Sequence, residues 1–154
     1  MKQMKTKILV SVVVAALMVV VACSKNTYNT KPTLKIKSFS TNVVQINQGL
    51  TFQLQVTDKE GDVTDIEKAM SIVKVRLNQK TTPITLRDTL FFKVPEAPNS
   101  TNGIIQFDLE YTNHLISAQD PNGQNDTLQL RFALKDKAGN VSDTVISDPI
   151  VIIR

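Results

Sequence analysis

One cysteine, Cys23, and one histidine, His114, are all that the 154 residues hold of either type, and tryptophan is absent. A single cysteine excludes an internal disulfide. With one imidazole and one thiolate in the chain, no zinc site can be assembled from a second such ligand. Aromatic residues make up only 5% of the sequence, which leaves little for the exposed aromatic platforms that carbohydrate-binding modules commonly use. The five glycines form no glycine-rich phosphate loop. The serines sit in no G-x-S-x-G elbow and have no base beside them. Carboxylate pairs of the kind that serve glycoside hydrolysis are present, but any surface offers them. Asp108 and Glu110, for example, fall on the outward positions of one alternating stretch, where solvated charge belongs. The expectation is a protein without catalytic activity; the alternative is a carboxylate-based hydrolase acting on envelope or extracellular glycans.

Acidic residues are also missing from the whole first third, up to Asp58. Lys2, Lys5 and Lys7 open the chain, and Ile8 to Ala22 follows as an apolar run broken only by Ser11. That run is shorter than the roughly 20 residues a bilayer-spanning helix needs. A charged start and a short apolar core are the pattern of a secretory signal peptide. The run ends Val20-Val21-Ala22-Cys23, which resembles the lipobox of bacterial lipoproteins, with Val20 where that family usually has leucine. The resemblance implies that the Cys23 thiol receives a diacylglyceryl group and that a dedicated peptidase cuts before it. Lipidation explains the one cysteine of an exported chain, and two or three acyl chains anchor far more firmly than one. Ser24, rather than aspartate, after the cysteine resembles the pattern of lipoproteins sorted to the outer membrane.

Removing residues 1–22 leaves 132 of the 154, enough for one domain. Three of the 18 basic residues leave with them, so 15 face 14 acidic ones and the net charge falls from +4 to +1. The pI near 9.2 therefore belongs to the precursor, and nucleic-acid binding, which needs a concentrated basic face, is not expected. Residues 23–32, CSKNTYNTKP, read as the lipidated cysteine and a flexible tether. Its lysines and Lys35 and Lys37 beyond it read as ordinary solubilising charges, the alternative being attraction to anionic lipid headgroups.

From residue 33 to 154 the apolar period is two. Leu34 and Ile36; Leu50, Phe52, Leu54 and Val56; Val73, Val75 and Leu77; Ile84 and Leu86; Leu90, Phe92 and Val94; Ile105, Phe107, Leu109 and Tyr111; and Leu128, Leu130, Phe132 and Leu134 each alternate with polar neighbours. Each stretch presents one oily and one wet face, the signature of antiparallel strands in a two-layer sandwich. Asp65 to Ser71 is the one stretch compatible with a helical turn. The segment Val141 to Ile153 carries Pro149, which cannot donate to a ladder, so this last strand is expected to be interrupted or at an edge. Pro95 to Gly103 and Thr112 to Asp126 are the long loops, the latter holding the turn signal Asp120-Pro121-Asn122-Gly123 and an idle, exposed His114. Seven or eight strands in this length suit an all-β, immunoglobulin-like antiparallel sandwich, without the Cys and Trp signature of antibody domains. An up-and-down barrel is the runner-up. The sandwich predicts that the second and sixth strands, Leu50–Thr57 and Thr127–Lys135, sit centrally in opposite sheets.

One octapeptide occurs twice. Asp58 to Asp65 is DKEGDVTD and Asp136 to Asp143 is DKAGNVSD, identical at five of eight positions. Aspartate first and glycine fourth is type I turn chemistry. The second copy resembles the last hairpin of bacterial immunoglobulin-like extracellular repeats, where D-x-A-G-N joins the final two strands. That resemblance implies a structural or binding module, with both turns at the end of the sandwich from which the tether leaves. Asp58, Glu60 and Asp62 from one turn and Asp136 and Asn140 from the other then offer hard oxygen ligands suited to calcium, and calcium-binding extracellular sandwiches are similar. The competing reading makes each aspartate the cap of its own turn through local hydrogen bonds. No cofactor is required. The expected role is a non-catalytic binding or scaffolding module, held to the membrane by its lipid, for a protein or glycan partner.

Overall fold

Two-residue alternation becomes two stacked sheets. The structure, a computed structural model, describes residues 31–64, 66–78, 88–95, 101–116 and 123–154. Cys23, the tether up to residue 30 and the alternating pair Ile84 and Leu86 lie outside the described residues. The strands are β1 (Thr33–Phe39), β2 (Val43–Val44), β3 (Leu50–Thr57), β4 (Met70–Arg76), β5 (Asp88–Phe92), β6 (Asn102–Leu109), β7 (Asp126–Leu134), β8 (Val145–Ile146) and β9 (Ile150–Ile152). The smaller sheet runs β1-β3-β6; the larger runs β2-β9-β7-β4-β5, with β8 also on β7. β3 is thus central in one layer and β7 in the other, as the sandwich requires. Three of the nine strands among the described residues, β2, β8 and β9, have only two or three residues, which is why alternation does not reveal them all.

β3 and β7 alternate buried and half-buried positions along almost their whole length. Their inward faces carry Leu50, Phe52, Leu54 and Val56 against Leu128, Leu130, Phe132 and Leu134, all buried. With no disulfide or tryptophan to join the layers, phenylalanine rings do so. Phe52 meets Phe132 across the sandwich at 4.9 Å between centroids, and Phe107 meets Phe92 at 5.4 Å. Phe52 also stacks on Phe107 at 5.5 Å, which continues the cluster along its own layer. Such tilted and offset contacts add about 0.5–1.5 kcal/mol each beyond the area they bury.

The first strand changes layers. A bulge between Ile36 and Ser38 bends β1. The chain then crosses to the other sheet, where β2 lies parallel to β9. The last segment is interrupted as Pro149 demands, and β9 is covered on both sides, by β7 and β2. Its irregularity has a second cause. Val141-Ser142-Asp143 and Ile146-Ser147-Asp148 are spaced by five, while their partners Leu134 and Leu130 on β7 are spaced by four. Ser142 Oγ accepts the Leu134 N–H at 3.0 Å and Ser147 Oγ accepts the Leu130 N–H at 2.9 Å. The same serines donate their own amides to the carbonyls of Leu134 and Leu130. A hydroxyl replaces a strand carbonyl twice, and the ladder survives the mismatch.

Two sequence expectations are corrected. Met70 and Ser71 open β4 rather than ending a helical turn, and Ile66 to Ala69 is a single tight turn with Lys68 at φ +83°. His114 is half-buried rather than idle and exposed. Tyr111–Leu115 forms one π-helical turn in which Leu115 N–H reaches Glu110 O and Ile116 N–H reaches Tyr111 O. His114 Nδ1 accepts the Glu110 N–H at 2.9 Å and closes that turn, and its ring lies 5.8 Å from Phe92. The buried Lys74 donates to the His114 carbonyl, and the Tyr111 hydroxyl donates to Ile153 O.

Candidate metal centre

Each copy of the repeated octapeptide is a turn closed by its first aspartate. β3 ends at Thr57, and Asp58 N–H donates to Thr101 O. Asp58 Oδ2 then accepts the N–H of Asp62, four residues on, at 2.9 Å. In the second copy Asp136 Oδ1 accepts the N–H of Asn140, again four residues on, at 2.7 Å. Gly61 and Gly139 occupy the same place in the two turns, with φ of +68° and +91°, the left-handed conformation that favours glycine. A Cβ on Gly139 would meet nothing within 4 Å, so its backbone angle is what selects glycine there.

The turns touch. Lys137 N–H donates to Asp62 O at 3.2 Å, so a turn leaving the smaller sheet is hydrogen-bonded to a turn leaving the larger one. Beside them, Lys31 pairs with Asp143 at 2.6 Å, and Thr33 lies opposite Thr57. The described chain therefore begins at this end of the sandwich.

The two copies differ where it matters electrostatically. In the second, the Asn140 amide donates to Asp136 Oδ2 at 2.8 Å, and both oxygens of that buried carboxylate are satisfied. In the first, the residue in Asn140's place is Asp62, another carboxylate, which donates nothing when ionised. Asp58 Oδ1 and Asp62 Oδ1 are both buried with no hydrogen-bond partner, and Asp58 is 1% exposed. Glu60 stands where the second copy has Ala138. One carboxylate oxygen each from Glu60, Asp62 and Asp136 lie within 4.8 Å of one another. Burial first, then the adjoining Asp58 carboxyl, then the charges of Asp136, Asp58 and Glu60 hold the Asp62 carboxyl above the usual carboxylate range.

Of the five residues expected to supply ligands, the structure gathers Glu60, Asp62 and Asp136 around one point. It sets Asp58 behind Asp62 as the acceptor that closes the turn, and Asn140 beside Asp136 as a donor. Such a set suits a hard cation that prefers oxygen.

No protein-family model matches the chain, and no curated protein matches it. Among solved structures, the sporulation control protein Spo0M from Bacillus subtilis is similar over 80% of this chain and 50% of its own, with a TM-score of 0.40 and 10% identity. This chain thus spans half the length of that protein.

Sequence reasoning missed three features. The Ser142 and Ser147 pair was visible as the repeated Ser-Asp after an aliphatic residue. The ionic group at the opposite end was not: Asp126, 2% exposed, is held by Arg154 at 2.6 Å, with Arg76 at 3.7 Å. These residues are far apart in the chain, and only the pairing of β7 with β4 and β9 joins them. The faces of β4 are also inverted: Val73, Val75 and Leu77 are expected as its oily row, yet Met70, Ile72 and Lys74 are buried while Val73 and Val75 are half-buried and Leu77 is exposed.

Proposed function

We propose that the chain is a lipid-anchored cell-envelope module of immunoglobulin-like architecture, which binds or scaffolds a partner without catalysis. The signal-like start and the Ala22-Cys23 junction support the anchor and an outer-membrane address. The strand order supports the immunoglobulin-like assignment: three strands, β1-β3-β6, face β9-β7-β4-β5, and the tail of the first strand crosses over to lie parallel to the last.

The observation that carries the binding reading is the contrast between the two outer faces. On the smaller sheet the outward rows are Thr51 with Asp108 and Gln53 with Gln106, hydrogen-bonded across strands, and Gln55 with the exposed Ile104. On the larger sheet they are Phe91, Ser71 and Ala133, then Thr89, Val73, Arg131 and Ile146, then Val75 and Gln129, then Thr127, Val151 and Val43. Phe91 is 53% and Ile146 49% exposed. Apolar side chains recur across several strands of this face, against the one exposed Ile104 of the other, and such a face supports an interaction surface that suits a protein more than a glycan. The membrane is the second partner, through the lipid on Cys23.

Labelled palmitate enters the full-length protein and not Cys23→Ser; equal labelling of both removes the anchor from this reading. Crosslinking in native membranes separates the faces. Phe91→Asp/Ile146→Asp loses the crosslinked partner and Gln53→Asp/Gln106→Asp keeps it. A partner retained by the first pair and lost by the second assigns binding to the other sheet.

A further inference from the structure

We propose that the twin turns form a calcium site, with Glu60, Asp62 and Asp136 as its protein ligands and Asp58 as the buried carboxylate behind them, and that the bound ion clamps the two sheets together at the tether end. The inference does not depend on lipidation or on the identity of a partner.

Its starting point is an unbalanced turn. Four carboxylates, Asp58, Glu60, Asp62 and Asp136, share one corner. Among the described residues no lysine or arginine pairs with any of them. Buried carboxylate oxygens are otherwise paired or hydrogen-bonded. Asp136 obeys that rule through Asn140, while Asp58 Oδ1 and Asp62 Oδ1 break it. Two things can neutralise the pair: a proton shared between Asp58 and Asp62, or a cation. A shared proton would serve Asp58 and Asp62 but gives no role to Glu60 or to the second turn. A cation takes Glu60, Asp62 and Asp136 as ligands together, and its charge offsets that of Asp58 behind them.

The geometry fits calcium. Ligands 2.3–2.6 Å from one ion lie at most about 5.2 Å apart, and the three carboxylate oxygens lie within 4.8 Å of one another. Three carboxylates leave the remaining positions of a six- to eight-coordinate ion to water and backbone carbonyls. Glu60 is exposed, so the ion has a path in from solvent.

The consequence is mechanical. Asp62 follows β3 of the smaller sheet and Asp136 follows β7 of the larger one. Their direct connection is one hydrogen bond, Lys137 N–H to Asp62 O, at 3.2 Å. An ion held by both turns adds a second connection at the end of the sandwich where the described chain begins.

The test uses the full-length protein in detergent, titrated with calcium chloride against EDTA and against sodium chloride of equal ionic strength. Extracellular calcium modules have dissociation constants of about 10⁻⁴–10⁻³ M. At about 10 mM calcium such a site raises the melting temperature by roughly 5 °C or more, and calorimetry gives one ion per chain. Glu60→Gln, whose side chain makes no hydrogen bond, loses most of the shift while folding normally. Asp143→Asn, outside the ligand set at the same end, keeps it. Calcium also slows hydrogen exchange at the Lys137 amide. The proposal is overturned by a wild type with no calcium-specific shift, by Glu60→Gln with a full shift, or by an Asp62→Asn variant that responds to calcium as the wild type does.

Discussion

Replacing Ser147 with alanine isolates one atom that the ladder depends on. Ser147 is 4% exposed and Leu130, whose amide its Oγ accepts, is fully buried. Alanine leaves that N–H inside the sandwich with no acceptor, at about 1–3 kcal/mol. The hydroxyl's other bond, donated to Asp148 O at 2.7 Å, contributes less, because Asp148 is exposed and its carbonyl can turn to water. A loss of about 2 kcal/mol is expected, which is roughly 6–10 °C in melting temperature for a domain of this size. Urea unfolding followed by circular dichroism measures it as a midpoint lowered by about 1 M with an unchanged slope. Ser147→Thr keeps the hydroxyl and recovers most of the loss. Ser142→Ala acts in the same way through Leu134. The two amides are four residues apart on β7, about 13 Å at strand rise, so the double variant is the sum of the singles within about 0.5 kcal/mol. A Ser147→Ala protein within about 0.5 kcal/mol of wild type, natively folded, would refute the reasoning: the Leu130 amide would then have another partner or reach water.

Three further substitutions probe the ends of the sandwich. Asp126→Ala removes the buried carboxylate that faces Arg154 and Arg76 and should cost up to about 3–5 kcal/mol, whereas Lys31→Ala, in the exposed pair with Asp143, should cost less than about 1 kcal/mol; thermal unfolding of both separates them. Gly139→Ala meets no atoms but must hold φ at +91°, so a loss of about 1–2 kcal/mol from backbone strain alone is expected by denaturant titration, with near-native spectra.

The sequence by itself determined the class of fold, the positions of the long strands and the two turns, because each of these is local. A period of two marks a strand wherever one face is buried and the other wet, and Asp-Lys-x-Gly specifies its turn through hydrogen bonds that span four residues. The proposed lipid attachment rests on an equally local pattern, in residues before position 24. Tertiary structure decided what the ends of those strands do. Which acids of the twin turns converge depends on how β3 and β7 stack, and that brought Glu60 to Asp62 and Asp136 while turning Asn140 to the service of its own turn. The same stacking decided that Lys74, in an alternating strand with a wet-looking pattern, points inward to the His114 carbonyl. It also placed Asp126 between Arg76 of β4 and Arg154, two residues beyond β9. Contacts between residues far apart in the chain carry no local signature, since the free energy that selects them is released only when the two layers pack.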